Sequence, residues 1–183
     1  MTAQPTPLND CFIIHDNIIK DDRGYFFESF NKQKFQQATG LDINFVQDNQ
    51  SQSTLGVLRG LHFQKGTHAQ AKLVRVIKGK VQDVVVDLRK DSSTYGKHFS
   101  IELSENSNTQ LFVPRGFAHG FLVLSEVATF FYKCDNFYNK EADAGLLYND
   151  TDLNINWQLP SAQLILSEKD KIQPTFKQLT QIL

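Results

Sequence analysis

The stretch PRGFAHGF, residues 114–121, decides how the rest of the chain is read. Pro114 fixes its own backbone angle and Gly116 supplies a conformation that other residues resist, so together they make a tight lead-in to a strand. Within that strand His119 and Phe121 share a face, because side chains two apart point the same way. The same rhythm extends on both sides. From residue 43 onward, runs of about four to eight residues rich in Val, Ile, Leu and Phe alternate with turn chemistry. The turns are KGK (78–80), KDSSTYGK (90–97) and SENSNT (104–109). Short strands at regular spacing predict an all-β barrel or sandwich.

Two segments carry clear period-two order. KLVRVIKGKVQDVVVDLR (72–89) puts Lys72, Val74 and Val76 on one face, and ATFFYKC (128–134) does the same for Phe130, Tyr132 and Cys134. Each face mixes apolar and polar groups. One internal helix is predicted in FNKQKFQQATG (30–40), with Asn31 as its cap, Phe30 and Phe35 as a hydrophobic staple and Gly40 at its end. After NINWQLP (154–160) the chain is expected to run as a short helical or irregular tail packed back on the barrel. No repeat, low-complexity tract or linker divides it, so residues 1–183 are expected to form one domain.

Bulk composition narrows the function classes. Lys plus Arg number 19 against 20 Asp plus Glu, a formal charge of −1, with no block of one sign to suggest a nucleic-acid tail or a membrane-surface helix. The 15 Phe and five Tyr are spread along alternating segments, as core packing requires, and are not gathered on a basic face. Neither nucleic acid nor membrane is an expected partner. Two cysteines, Cys11 and Cys134, are too few for a disulfide framework. The N-terminal segment lacks a basic leader and an apolar run of membrane length, so a cytoplasmic protein is expected.

GVLRGLHFQ (56–64) sets a puzzle, because Arg59 and His62 sit in an apolar run where a core strand would lie. Their odd separation would send them to opposite faces. Gly60 allows a bulge, and one extra residue would turn both to the same side. The plain alternative is a surface arginine and a satisfied core histidine. Beside PRGFAHGF the first reading gains, since a P-x-G-x-x-H-x-F run after β segments resembles the second signature of the cupin jelly roll. Many cupins hold a metal through an H-x-H pair and a nearby Glu. Here His62 is followed by Phe63 and Gln64, and the next Glu is Glu102. His62, His68 and His119 could form a three-histidine site, but His68 lies in the polar piece QKGTHAQAK (64–72), so no metal is expected.

Longer blocks make the resemblance specific. DDRGYFFESFN (21–31), FVQDNQSQS (45–53), GVLRGLHFQ, the 70–97 run, FVPRGFAHGFLVLS (112–125), YKCDNFYN (132–139), YNDTDLNINW (148–157) and LSEKD (166–170) occur in order over nearly the whole chain. They resemble the successive motifs of the dTDP-4-dehydrorhamnose 3,5-epimerase family. That resemblance implies an all-β cupin jelly roll, or double-stranded β-helix, with a few short helices. It also implies a homodimer with no metal or coenzyme that inverts C3 and C5 of dTDP-4-dehydro-6-deoxy-D-glucose, on the route to rhamnose in surface polysaccharides such as O antigen. Carried over by motif, His62 would be the base, Asp170 its carboxylate partner, Tyr132 the acid on the opposite face and Lys72 the cation at the ketone oxygen. Arg23, Glu28, Gln47, Asp48, Asn49, Arg59, His119, Tyr138, Asp143 and Lys169 match substrate-contact positions. Asp143 stands where the family usually has Glu, and Tyr138 suits either packing on the nucleotide or the core. Other readings of the same residues are a 3-epimerase or ketoisomerase of this family, a metal-dependent cupin enzyme, or a non-catalytic sugar-binding jelly roll.

Overall fold

Strands with one apolar face bury it by pairing into sheets and stacking the sheets face to face. The computed structural model of the chain describes residues 1–179, in which thirteen strands and three short α-helices achieve this. In order, the strands are β1 (Thr2–Pro5), β2 (Phe12–His15), β3 (Ile19–Asp21), β4 (Gly24–Phe26), β5 (Gln47–Thr54), β6 (Leu58–Gln64) and β7 (Lys72–Lys78). They continue as β8 (Lys80–Asp87), β9 (His98–Ser104), β10 (Thr109–Val113), β11 (Phe117–Val123), β12 (Val127–Cys134) and β13 (Asp143–Gly145). The helices are α1 (Lys32–Thr39), α2 (Glu168–Lys171) and α3 (Phe176–Leu179).

Six strands form one sheet in the order β1-β2-β10-β7-β12-β5, five form a second in the order β13-β6-β11-β8-β9, and β3 pairs with β4 alone as an arm. The result is the jelly roll expected from the sequence. The turn at KGK is not a hairpin: β7 and β8 belong to different sheets, and Gly79 carries the chain around the corner between them. Its φ of +79° and a Cβ that would lie 2.1 Å from the Val127 carbonyl oxygen explain why glycine occupies this position.

Three apolar layers follow from the strand periodicity. Val74, Val76, Val85, Leu111, Phe121 and Phe130 fill the space between the sheets. Leu61, Val84, Val86 and Ala118, on the other face of the second sheet, are covered by the segment that carries Leu146, Leu153 and Leu179. The tail thus packs back as expected, although its residues 180–183 lie outside the described part. Both faces of β11 are therefore buried.

The outer face of the first sheet is covered by α1. The Asn31 side chain accepts from the Lys34 N–H, Gly40 adopts φ +77°, and its N–H donates to the Gln36 carbonyl. Phe30 and Phe35 lie 6.0 Å apart, and Phe35 meets Phe112 edge-on at 5.2 Å. Phe35 is fully buried, and its ring is the main link between helix and sheet. Phe35→Ala is expected to cost about 3–5 kcal/mol, seen in urea unfolding as a lower midpoint with an unchanged slope.

Candidate active site

The interior of the roll is apolar along β7 and β12 at Val74, Val76 and Phe130, then becomes polar at Lys72 and Tyr132. A cavity of about 570 Å³ opens there between the two sheets. The first sheet supplies Asn49, Lys72 and Tyr132, the second supplies Arg59, His62 and His119, and the segment 165–170 closes one wall.

Local backbone chemistry accounts for the presence of Arg59 and His62 in the same cavity. In the pairing of β6 with β11, Arg59 faces Phe121 and His62 faces His119, so Gly60 and Leu61 together stand opposite Gly120 alone. This is the bulge that Gly60 permits. A Cβ on Gly60 would lie 2.6 Å from the Gly120 Cα, so only glycine allows the two backbones to approach. Arg59 is steadied by donating from Nε to the Ser53 hydroxyl at 3.0 Å.

His62 is held by Asp170, with 2.5 Å between Nε2 and Oδ1. The carboxylate is only 3% exposed and sits in α2, whose cap Ser167 accepts from the Asp170 N–H. Burial would raise the Asp170 carboxyl, but hydrogen bonds from His62, Ser167 and the Gly60 backbone, with the charge of His62, outweigh burial and hold it below its ordinary value. An ionised partner at Nε2 leaves Nδ1 as the nitrogen that can take up a proton.

On the opposite wall, burial lowers the Lys72 ammonium against the opposing influence of Cys134, Asp83 and Asp143. Its Nζ lies 5.9 Å from the centroid of the Tyr132 ring. Burial raises the Tyr132 phenol, as do Cys134 and Asp143, while Arg59 works the other way. The phenol therefore keeps its proton. Cys134, beside Lys72 in the pairing of β12 with β7, is pushed up to about 11 by burial and is a neutral thiol.

His119 bonds through Nε2 to both oxygens of Asp83, at 3.1 and 3.0 Å. Asp83 is completely buried, and the sequence reading missed it. The signal was an acid in the valine run of KVQDVVVD, in phase with the inward-facing Val81 and Val85.

Other candidates fall in different places. Strand alternation splits Gln47–Asp48–Asn49: Gln47 donates to the Asn49 side chain at 3.0 Å, whereas Asp48 turns outward to Lys133 at 3.0 Å. Lys169 lines the cavity and pairs with Asp143, which also accepts from the Tyr138 hydroxyl at 3.4 Å. Tyr138 itself is exposed. Arg23 pairs with Asp21 in the arm, and Glu28 meets Lys34 and Asn31 at the start of α1, so neither lines the cavity. His68 lies in a 3₁₀ turn away from the cavity, and the three-histidine set is not assembled. Among the described residues, no three His, Cys, Asp or Glu side chains gather as metal ligands.

An imidazole with an ionised partner, a protonated phenol on the facing sheet and an ammonium beside that phenol can move protons at a carbon next to a carbonyl. Known proteins agree with that chemistry. The family model described as dTDP-4-dehydrorhamnose 3,5-epimerase matches residues 5–178. The dTDP-4-dehydrorhamnose 3,5-epimerase of Escherichia coli (strain K12) is 47% identical over 182 residues, covering 100% of this chain and 98% of that one. The crystal structure of dTDP-4-dehydrorhamnose 3,5-epimerase from Elizabethkingia anophelis NUHP1 is 58% identical, with a TM-score of 0.94 over 97% of each chain. That of dTDP-6-deoxy-D-glucose-3,5-epimerase from Legionella pneumophila Philadelphia 1, in complex with dTDP-4-keto-L-rhamnose, is 41% identical, with a TM-score of 0.92 over 96% of this chain and 93% of that one.

Because Gly60 sets the bulge, Gly60→Ala is expected to force β6 from β11 and misplace Arg59 and His62. Overpacking of this kind costs about 1–3 kcal/mol, and an ångström of misplacement at a reacting group costs roughly a hundredfold in turnover. Denaturant melts run beside turnover assays of the purified variant check both effects.

Proposed function

We propose a reaction for this chain from one premise: it belongs to the dTDP-4-dehydrorhamnose 3,5-epimerase family. The chain is an isomerase that epimerises C3 and C5 of dTDP-4-dehydro-6-deoxy-D-glucose to give dTDP-4-dehydro-L-rhamnose, a step of dTDP-rhamnose biosynthesis. The observation that carries the residue assignment is the meeting of His62 and Tyr132, from different sheets, in one cavity beside Lys72.

His62 Nδ1 removes the proton from a carbon flanking the C4 ketone, and the electron pair of that C–H bond moves to the ketone oxygen. The Lys72 ammonium receives the developing enolate charge, and one such preorganised donor lowers the barrier by about 3–4 kcal/mol. Tyr132 then delivers its proton to the same carbon from the other side, which inverts it. The imidazolium is stabilised by Asp170 and the phenolate by the nearby Lys72 and Arg59 cations. Both groups return to their starting states by exchange with water, and the second carbon follows by the same two steps. His119, fixed by Asp83 through Nε2, offers Nδ1 as an acceptor to a sugar hydroxyl. Arg59 and Lys169 take the diphosphate, for which a guanidinium fork is well shaped, and Asn49 and Gln47 add contacts along β5. These steps need only the side chains named.

The whole chain acts as one catalytic domain and works as a homodimer in the cytoplasm. Support for the dimer comes from the arm, where Ile19, Tyr25 and Phe26 are 60%, 69% and 67% exposed. Arg23 and Glu28 lie in and beside it, remote from their own cavity, while β5 is an open sheet edge whose residue Asn49 lines the cavity. Exposed strand edges attract strands of a second copy. Arg23 and Glu28 would then serve the neighbour's nucleotide, with Tyr138 and Asp143 at the mouth and Asp48 contributing through its ion pair with Lys133. Among the described residues no helix is long and apolar enough to cross a membrane.

Turnover in deuterated water followed by NMR tests the scheme. Wild-type protein is expected to place one deuterium at C3 and one at C5, and His62→Ala to place neither. A single deuterium would make it a 3-epimerase, and wild-type exchange by His62→Ala would refute the base. Tyr132→Phe is expected to exchange protons with almost no inversion.

A pH profile gives a second test. Burial lowers the Lys72 ammonium, which therefore loses its proton below the ordinary lysine range, and raises the Tyr132 phenol, which holds its proton beyond the ordinary phenol value. Turnover should therefore fall with rising pH below the ordinary lysine range. The residual activity of Lys72→Arg, whose guanidinium stays charged, should lack that fall.

A further inference from the structure

The arm formed by β3 and β4 leaves the roll as an exposed hairpin, yet its two ends converge on a single buried side chain. Asp16 precedes the arm and Ser29 follows it. Gln110 of β10, only 3% exposed, donates from its amide Nε2 to the Asp16 carboxylate at 3.0 and 2.9 Å and to the Ser29 carbonyl at 2.7 Å. An amide nitrogen has two hydrogens, so one can serve each leg. Asp16 also donates its backbone N–H to the Asn108 carbonyl at 3.1 Å.

Arg75 of β7 lies beside this clamp. Its guanidinium is 5.4 Å from the centroid of Phe27, which directly follows β4, and 5.6 Å from that of Phe131 on β12. The Arg75 Nε is buried with no hydrogen-bond acceptor among the described residues. The cation is therefore held between two rings, an arrangement that is attractive where water is scarce, with the Asp16 carboxylate adding a longer-range pull. Neither Gln110 nor Arg75 lines the cavity.

We infer that Gln110 and Arg75 are positioning residues that set the angle at which the arm leaves the protomer, and so decide whether Arg23 reaches a nucleotide diphosphate. The inference rests on the function proposed above, in which the arm serves the neighbouring protomer. Arg23 lies seven positions beyond Asp16, a lever of roughly 20 Å in extended chain. A tilt of about 5° at its root moves the tip by roughly 2 Å, more than a charge-assisted hydrogen bond tolerates. Among the described residues the arm makes no other sheet pairing, so the clamp carries most of this control.

The test compares Gln110→Leu, Arg75→Met and Arg23→Ala in the full-length protein. Hydrogen exchange over residues 17–28, dTDP affinity by calorimetry, and kcat with KM are measured for each. Gln110→Leu and Arg75→Met are expected to speed exchange in the arm and to raise Kd for dTDP and KM roughly tenfold, with kcat within about twofold of wild type. The Gln110→Leu/Arg23→Ala double variant should bind dTDP no more weakly than Arg23→Ala alone. Arg75→Met leaves no buried carboxylate stripped of its hydrogen-bond donor and keeps the test open should Gln110→Leu fold poorly. Unchanged arm exchange in both variants, or unchanged dTDP affinity while Arg23→Ala weakens it, would overturn the inference alone. A fall in kcat equal to the rise in KM would also overturn it, marking the two residues as merely structural. Faster arm exchange with dTDP affinity unchanged even in Arg23→Ala would instead bring down the arm's role in nucleotide binding, and the inference with it.

Discussion

Where β6 crosses β11, Gly60 and Gly120 bring two backbones closer than any side chain would allow. A Cβ on Gly120 would stand 2.7 Å from the Arg59 carbonyl oxygen, and one on Gly60 would stand 2.6 Å from the Gly120 Cα. Because neither exists, one strand can fit two residues opposite one of its neighbour, and an arginine and a histidine that alternation would separate face the same cavity. The Gly60 backbone also helps hold the Asp170 carboxyl below its ordinary value. One close approach thereby sets the direction of the imidazole and helps keep its partner ionised.

The cavity gathers more charge than the near-neutral chain would suggest. Arg59, Lys72 and Lys169 line it, while Asp83, Asp143 and Asp170 stand behind His119, Lys169 and His62. Asp83 and Asp143 are thus one step removed from the space a substrate would occupy, and Asp170, at the wall, is turned to His62. A dianionic nucleotide sugar meets positive and neutral donors first. Desolvation sharpens the division, because it weakens the hold of Lys72 on its proton and strengthens that of Tyr132.

The sequence makes the strands legible because burial on one face imposes period two, and α1 is legible because Asn31, the Phe30–Phe35 pair and Gly40 are local signals. It does not show which sheet each strand joins: Lys72–Lys78 and Lys80–Asp87 look like two halves of a hairpin, and only the packing at Gly79 reveals a corner. In the site, Arg59 and His62 could be paired through Gly60. The Asp83–His119 contact stayed hidden because it joins positions 36 residues apart on neighbouring strands. Motif resemblance likewise grouped Asp48 with Gln47 and Asn49, whereas strand geometry sends its side chain to the other face. The placement of Arg23 and Glu28 outside the cavity depends on the third dimension altogether.

The contact between His62 and Asp170 spans 108 positions of the chain. A ribosome that has delivered the histidine must add about three fifths of the molecule before the carboxylate is made, and by then every strand of both sheets has been made. A chain cut short after β13 and before residue 165 would have every strand but lack the partner of its imidazole and one wall of its cavity. Assembly and proton chemistry are therefore ordered in time: reactivity is conferred last, on a barrel already built.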